Sequence, residues 1–184
     1  MGLFRFLKQA ITGEVIQKID IPVIDSGVIM SLVLKKERGS GDLYVVLKLN
    51  EWLELFPFDK REFETFYHAV NSIRHSLMQT SPAARPGFVP KGIIRGLKRT
   101  FTGEVIQRID TTANDGMETI SLRLKRERDT SDYYVTLVSL WVVFGRFSIS
   151  YYTLDKKEFE ELYQAVESMR NSLMQTQKIF RWVP

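Results

Sequence analysis

Hydrophobic and polar positions alternate along residues 43–49, with Val45, Leu47 and Leu49 out of phase with Tyr44, Val46 and Lys48. A period of two belongs to a β-strand with one face in a core. Further strands are predicted over Glu14–Ile21, Ile29–Arg38 and Trp52–Phe58, and Gly39-Ser-Gly-Asp42 is suited to the hairpin between the second and third. The period then changes. Phe63, Phe66, Tyr67, Val70, Ile73 and Leu77 form a stripe at helical spacing, which reads as core. Asp59 is a good N-cap, Glu62 three residues on completes the capping-box spacing, and Phe58 with Phe63 has the spacing of a hydrophobic staple. Ahead of the strands, Leu3 to Ile11 is basic and apolar; helix and edge strand are both open to it, and we read it as a short helix packed on the sheet.

The pattern then repeats. Thr12-Gly-Glu-Val-Ile-Gln17 recurs as Thr102-Gly-Glu-Val-Ile-Gln107, and Ser31–Arg38 as Ser121–Arg128, both at an offset of 90. Asp59–Phe63 recurs as Asp155–Phe159 and Ser76–Thr80 as Ser172–Thr176, at an offset of 96. Six residues are therefore inserted between the third and fourth strands of the second copy, lengthening that hairpin around Phe144-Gly145-Arg146. The second copy has its own leading stretch, Ile93 to Phe101, and its fourth strand runs over Phe147–Leu154. Its helical stripe is Phe159, Leu162, Tyr163, Val166, Met169 and Leu173. Residues 81–90 carry three prolines and read as a semi-stiff linker between repeat one, 1–80, and repeat two, 91–184. The fold class expected is α+β: a tandem repeat of a four-stranded antiparallel sheet plus a C-terminal helix. The two copies cover each other's apolar surface as an intramolecular pseudo-dimer.

Composition narrows the chemistry. Cysteine is absent, which excludes disulfides, thiol catalysis and cysteine-type zinc sites and fits a reducing, intracellular compartment, nucleus or cytoplasm. No apolar run reaches the length of a membrane helix, so no membrane partner is expected. The net charge is only +4, with eleven basic and ten acidic groups in residues 1–90 and fifteen and twelve in 91–184. The two histidines, His68 and His75, are replaced by Gln164 and Asn171 in the second copy, and no phosphate loop or nucleophile elbow is present. Neither an enzyme nor a metal or other cofactor is expected. Glu62, Glu64, Glu158, Glu160 and Glu161 lie in first helical turns, where they complement the helix dipole.

Strand phase points to the outer sheet faces. With Leu32, Leu34, Val45 and Leu47 in the core, alternation turns Lys35, Tyr44 and Lys48 outward in repeat one, and Arg123, Lys125 and Tyr134 in repeat two. Lys18 and Arg108 join these faces from the first strands, and Lys36, Arg38, Arg126 and Arg128 add charge at hairpin ends. Cationic groups for phosphates beside an aromatic plane for bases suit single-stranded nucleic acid. A solvated face with a stray tyrosine is the plainer alternative.

In element order, the duplicated ββββα unit resembles the Pur-alpha type of nucleic-acid binder and the related Whirly and positive-cofactor-four proteins. That resemblance implies pairing of units through their helices, and single-stranded DNA or RNA bound on curved sheets. It carries over to Lys18, Lys35 and Tyr44, with Arg108, Lys125 and Tyr134. The second reading is a protein-interaction or scaffold module that engages a protein partner through exposed strand edges or the Trp141–Phe147 hairpin.

Overall fold

The computed structural model describes residues 12–24, 26–50, 54–80, 98–128, 132–143 and 146–180. Repeat one contains β1 (Glu14–Val23), β2 (Val28–Lys36), β3 (Leu43–Asn50), β4 (Glu54–Phe58) and α1 (Lys60–Gln79). Repeat two contains β5 (Glu104–Ala113), β6 (Glu118–Arg126), β7 (Tyr133–Val143), β8 (Arg146–Leu154) and α2 (Lys156–Phe180). Each set of strands forms an antiparallel meander in sequence order. A helical turn at 98–101 precedes β5. The predicted linker 81–90, Trp52 and the stretch Leu3 to Ile11 lie outside the described residues.

Local chemistry starts each long helix where the sequence places it. Asp59 accepts from Glu62 N at 2.8 Å while Glu62 returns a bond to Asp59 N at 3.0 Å. Asp155 and Glu158 repeat this exchange at 2.9 and 2.8 Å. The staple pair is in contact, with the Phe58 and Phe63 rings 6.0 Å apart.

The inner sheet faces and both helical stripes merge into one apolar core. Leu32, Leu34, Val45 and Leu47 are all in it, so the strand phase is as read from the sequence. Each helix crosses over: α1 packs mainly on β5 and β6, and α2 mainly on β1 and β2. The contacts between copies are reciprocal, as an isologous interface requires. Arg74 forks onto Glu160 at 2.8 and 2.9 Å, and Arg170 Nε donates to both Glu64 carboxylate oxygens at 3.0 and 2.9 Å. The Arg74 guanidinium lies 4.1 Å from the centre of the Tyr163 ring, and that of Arg170 lies 4.4 Å from the Tyr67 ring. Gln17 donates to Ser168 at 3.2 Å and Gln107 to Ser72 at 3.1 Å. The expected pseudo-dimer is thus realised in detail.

Candidate interaction surface

The tyrosines expected to stack on bases do not face water. Tyr44 is 4% exposed and Tyr134 fully buried. Both side chains are on the outer faces, as the register requires, but these faces are covered in part by the chain that leads into each sheet. The Tyr44 hydroxyl donates to Thr12 O at 2.8 Å. The Tyr134 hydroxyl lies 2.8 Å from Thr102 O and 2.9 Å from Arg99 O, and its one hydrogen serves either. Burial, with Glu37 nearby, pushes the Tyr44 phenol up to about 12; burial does the same for Tyr134, also to about 12.

The central lysines are withdrawn with them. Lys125 Nζ donates to Arg99 O at 3.1 Å and Thr100 O at 3.0 Å, and Lys35 Nζ to Thr12 O at 3.5 Å. Burial, then a neighbouring cation (Lys48 for Lys35, Arg123 for Lys125), lowers both ammonium pKa values. Arg99 is buried over the Tyr134 ring, 4.8 Å from its centre, and pairs with Glu127 at 2.9 Å. In repeat one Val33, Tyr44 and Val46 form a second small cluster on the outer face, with Leu55 against it. A stacking groove built on Tyr44, Tyr134, Lys35 and Lys125 is therefore absent. Glycine in the repeated Thr-Gly pair belongs to the same arrangement. Gly13 and Gly103 have φ of +105° and +87°, and a Cβ at either would overlap the tyrosine hydroxyl.

The other predicted cations are dispersed. Lys18 pairs with Asp20 at 2.9 Å, Arg108 with Asp110 at 2.9 Å and Arg126 with Glu104 at 2.6 Å. Hydrogen bonds from Ser31 and then Lys18 hold the Asp20 carboxyl below its ordinary value, and Arg108 does so for Asp110. Arg38 and Arg128 are exposed at hairpin ends, whereas Lys36, Lys48 and Arg123 are half-buried. Arg123 lies 3.4 Å from Ser121 Oγ, close enough to Asp110 and Lys125 for its charge to act on both. His68 and His75 are exposed on α1, and among the described residues no group of three or more acids or histidines is placed to hold a metal.

A surface that charge patterning does not reveal lies on the outer face of β7 and β8. Val138 pairs with Tyr151 and Leu140 with Ile149. Ile149 is 54% exposed, Leu140 and Tyr151 each 37%. Phe101, at 77% exposed, comes over from the helical turn and sets its ring 5.9 Å from that of Tyr151. Repeat one has Lys48 where Val138 stands, Asn50 where Leu140 stands and Leu55 where Tyr151 stands. Val138 and Leu140 thus have polar counterparts, whereas Leu53 and Ile11, the counterparts of Ile149 and Phe101, are apolar and lie outside the described residues. The hairpin lengthened by the insertion pairs Val142 with Phe147 and Val143 with Arg146. Phe144 and Gly145, and the side chains of 141–147, lie outside the described residues, and so does the anchor role of Trp141. The aid to finding this strip from sequence was to compare the copies for polar-to-apolar exchange, not for shared basic residues.

Fold and surface together define a duplicated α+β chain, closed on itself, with an exposed apolar strip on the outer face of repeat two. The chain matches no protein-family model and no curated protein. Among the described residues, no helix is long and apolar enough to cross a membrane.

Proposed function

We propose that the chain is a non-enzymatic protein-interaction module that docks a partner on the outer face of the β7–β8 hairpin. The observation that carries this reading is the row Phe101, Tyr151, Ile149 and Leu140, exposed together on the outer face of repeat two. Large apolar side chains held in a row on a sheet are how proteins anchor one another. The neighbouring row on the same face contains Arg123, half-buried and in no ion pair within 4 Å among the described residues, although Asp110 feels its charge. The partner this favours is a protein segment with large apolar anchors and a carboxylate placed to meet Arg123.

Single-stranded nucleic acid is the less favoured reading. Phosphate binding depends on cations free to replace counterions. Here Lys18, Arg108 and Arg126 already hold carboxylates, and both predicted stacking tyrosines are buried.

A peptide-display library panned on the intact chain tests the choice. Enrichment of apolar, acid-bearing peptides whose binding is lost in Ile149→Asp and weakened in Arg123→Ala supports the reading. Recovery of no Ile149-dependent peptide overturns it. So does tight binding of a labelled single-stranded oligonucleotide that fades steeply with added salt, unaffected by Ile149→Asp. Concentration-dependent self-association abolished by Ile149→Asp would instead make the strip an interface between copies of this chain.

A further inference from the structure

The repeats grip each other at two equivalent corners. The turn between β1 and β2 meets the β8–α2 corner, where Ile24 N donates to Glu158 Oε1 at 2.6 Å and Thr153 N to Ser26 Oγ at 3.2 Å. The turn between β5 and β6 meets the β4–α1 corner, where Gly116 N donates to Glu62 Oε1 at 3.2 Å and Asn114 N to Pro57 O at 2.8 Å. In each case a capping-box glutamate of one copy reaches the turn of the other. The second turn is wound left-handed over three successive residues, with φ of 57° at Asn114, 54° at Asp115 and 81° at Gly116. Asn, Asp and Gly are the residues that best accept this region, and Gly116 N and Asn114 N tie the turn to repeat one.

The corners differ in the residue that follows the turn. Repeat one has Val28; repeat two has Glu118. Glu118 is 6% exposed, and its Oε2 has no hydrogen-bond partner. The groups around it come from both copies. Asn114, on its own turn, hydrogen-bonds the carboxyl, and Glu62 on α1 faces it with like charge. Asp59 at the helix cap and Asp115 on the turn add negative charge around Glu62.

We propose that Glu118 makes this corner a proton-operated latch between the repeats. With the carboxyl protonated, the 114–117 turn sits on the start of α1. Ionisation sets a second negative charge against Glu62 in a place with little water, and the turn's hold loosens. Among the described residues the Val28 corner has no second carboxyl facing Glu158 and stays closed, so opening is one-sided.

Burial pushes the Glu118 carboxyl up to about 7 from an ordinary 4.5; the Asn114 bond opposes the rise and Glu62 adds to it. The folded pKa is thus above the unfolded one. The stabilising contribution is complete below the ordinary value of 4.5 and is lost as pH rises through about 7.

Amide hydrogen exchange on the intact chain tests this, because the two corners share one molecule. Intrinsic exchange accelerates with pH at both, so the readout is the protection of Gly116 and Asn114 relative to Ile24. That ratio is expected to fall roughly tenfold between mildly acidic and mildly alkaline solution, and to hold constant in Glu118→Gln and Glu118→Val. A ratio that does not change with pH in the wild type, or still falls in Glu118→Gln, overturns the proposal. Carbon-13 titration of the wild-type Glu118 carboxyl needs no variant. A midpoint near neutrality supports the latch, and one at the ordinary glutamate value removes it.

Discussion

Ser150 Oγ donates a hydrogen bond to Glu54 Oε1, and the two residues occupy the same position in their respective repeats. A residue that touches its own counterpart lies by the pseudo-twofold axis. The other carboxylate oxygen accepts from Ser139 Oγ and Tyr152 Oη, each at 3.0 Å. Repeat one has Leu49 and Phe56 where repeat two has Ser139 and Tyr152. Two identical copies would bring two buried carboxylates together here, or two hydroxyl sets with no acceptor. The drifted copies instead set one acid against three hydroxyls. Burial and the Glu54 charge push the Tyr152 phenol well above its ordinary pKa, so it remains a donor.

Removing that acid should be costly. Glu54→Leu leaves Ser139, Ser150 and Tyr152 without their acceptor inside the interface, and urea unfolding should show a loss of about 2–3 kcal/mol. Adding Tyr152→Phe should recover part of it, because one stranded hydroxyl is removed. An additive double mutant would show that the two do not act together.

The Thr-Gly pair should not tolerate a methyl group. Gly103→Ala needs φ of +87° from an L-residue and drives its Cβ onto the Tyr134 hydroxyl. A loss of about 2–3 kcal/mol by thermal unfolding is expected. Gly39→Ala, where the added Cβ meets nothing within 4 Å, should cost less although its φ is also positive.

Tyr134 is a core residue in all but its position on the outer face. Tyr134→Ala should lower stability by about 3–5 kcal/mol, measured by denaturant unfolding. Ile149→Asp, on the exposed strip, should stay within about 0.5 kcal/mol of the wild type. If Tyr134→Ala instead left stability unchanged while weakening oligonucleotide binding, the burial described above would be refuted.

The reciprocal ion pairs should contribute modestly. The Arg74 and Glu160 side chains are 33% and 29% exposed, so water screens them. A double-mutant cycle with alanine should give a coupling near 1 kcal/mol that shrinks in molar salt. Arg74→Lys should not restore the wild type, because the fork on Glu160 and the stacking on Tyr163 both need a planar guanidinium.

Much of the fold is legible in the chain, because its signals are local and occur twice. Asp59 with Glu62, and Asp155 with Glu158, mark helix starts, and period-two runs give the inner face of every central strand. Strand phase also puts Tyr44 and Tyr134 on the correct, outer side. What phase cannot tell is what lies over that side. The helices after the strands fill the inner faces, so a helix leading into the sheet has only the outer face left to cover. Arg99 lies there, against Glu127 and Tyr134. Alternation along one strand has no access to that competition for faces. The apolar strip was hidden for a different reason: it consists of ordinary strand residues, and only the register between β7 and β8 brings Leu140, Ile149 and Tyr151 together.

A dimer of identical chains must change both of its outer surfaces whenever a mutation changes one. With both halves encoded in a single polypeptide, that constraint is lifted. The paired helices can stay matched, Arg74 with Glu160 and Arg170 with Glu64, while each sheet's far side evolves alone. One half has Lys48 where the other has Val138. A molecule whose architecture is twofold can thereby present different chemistry on each of its two outer sheet faces.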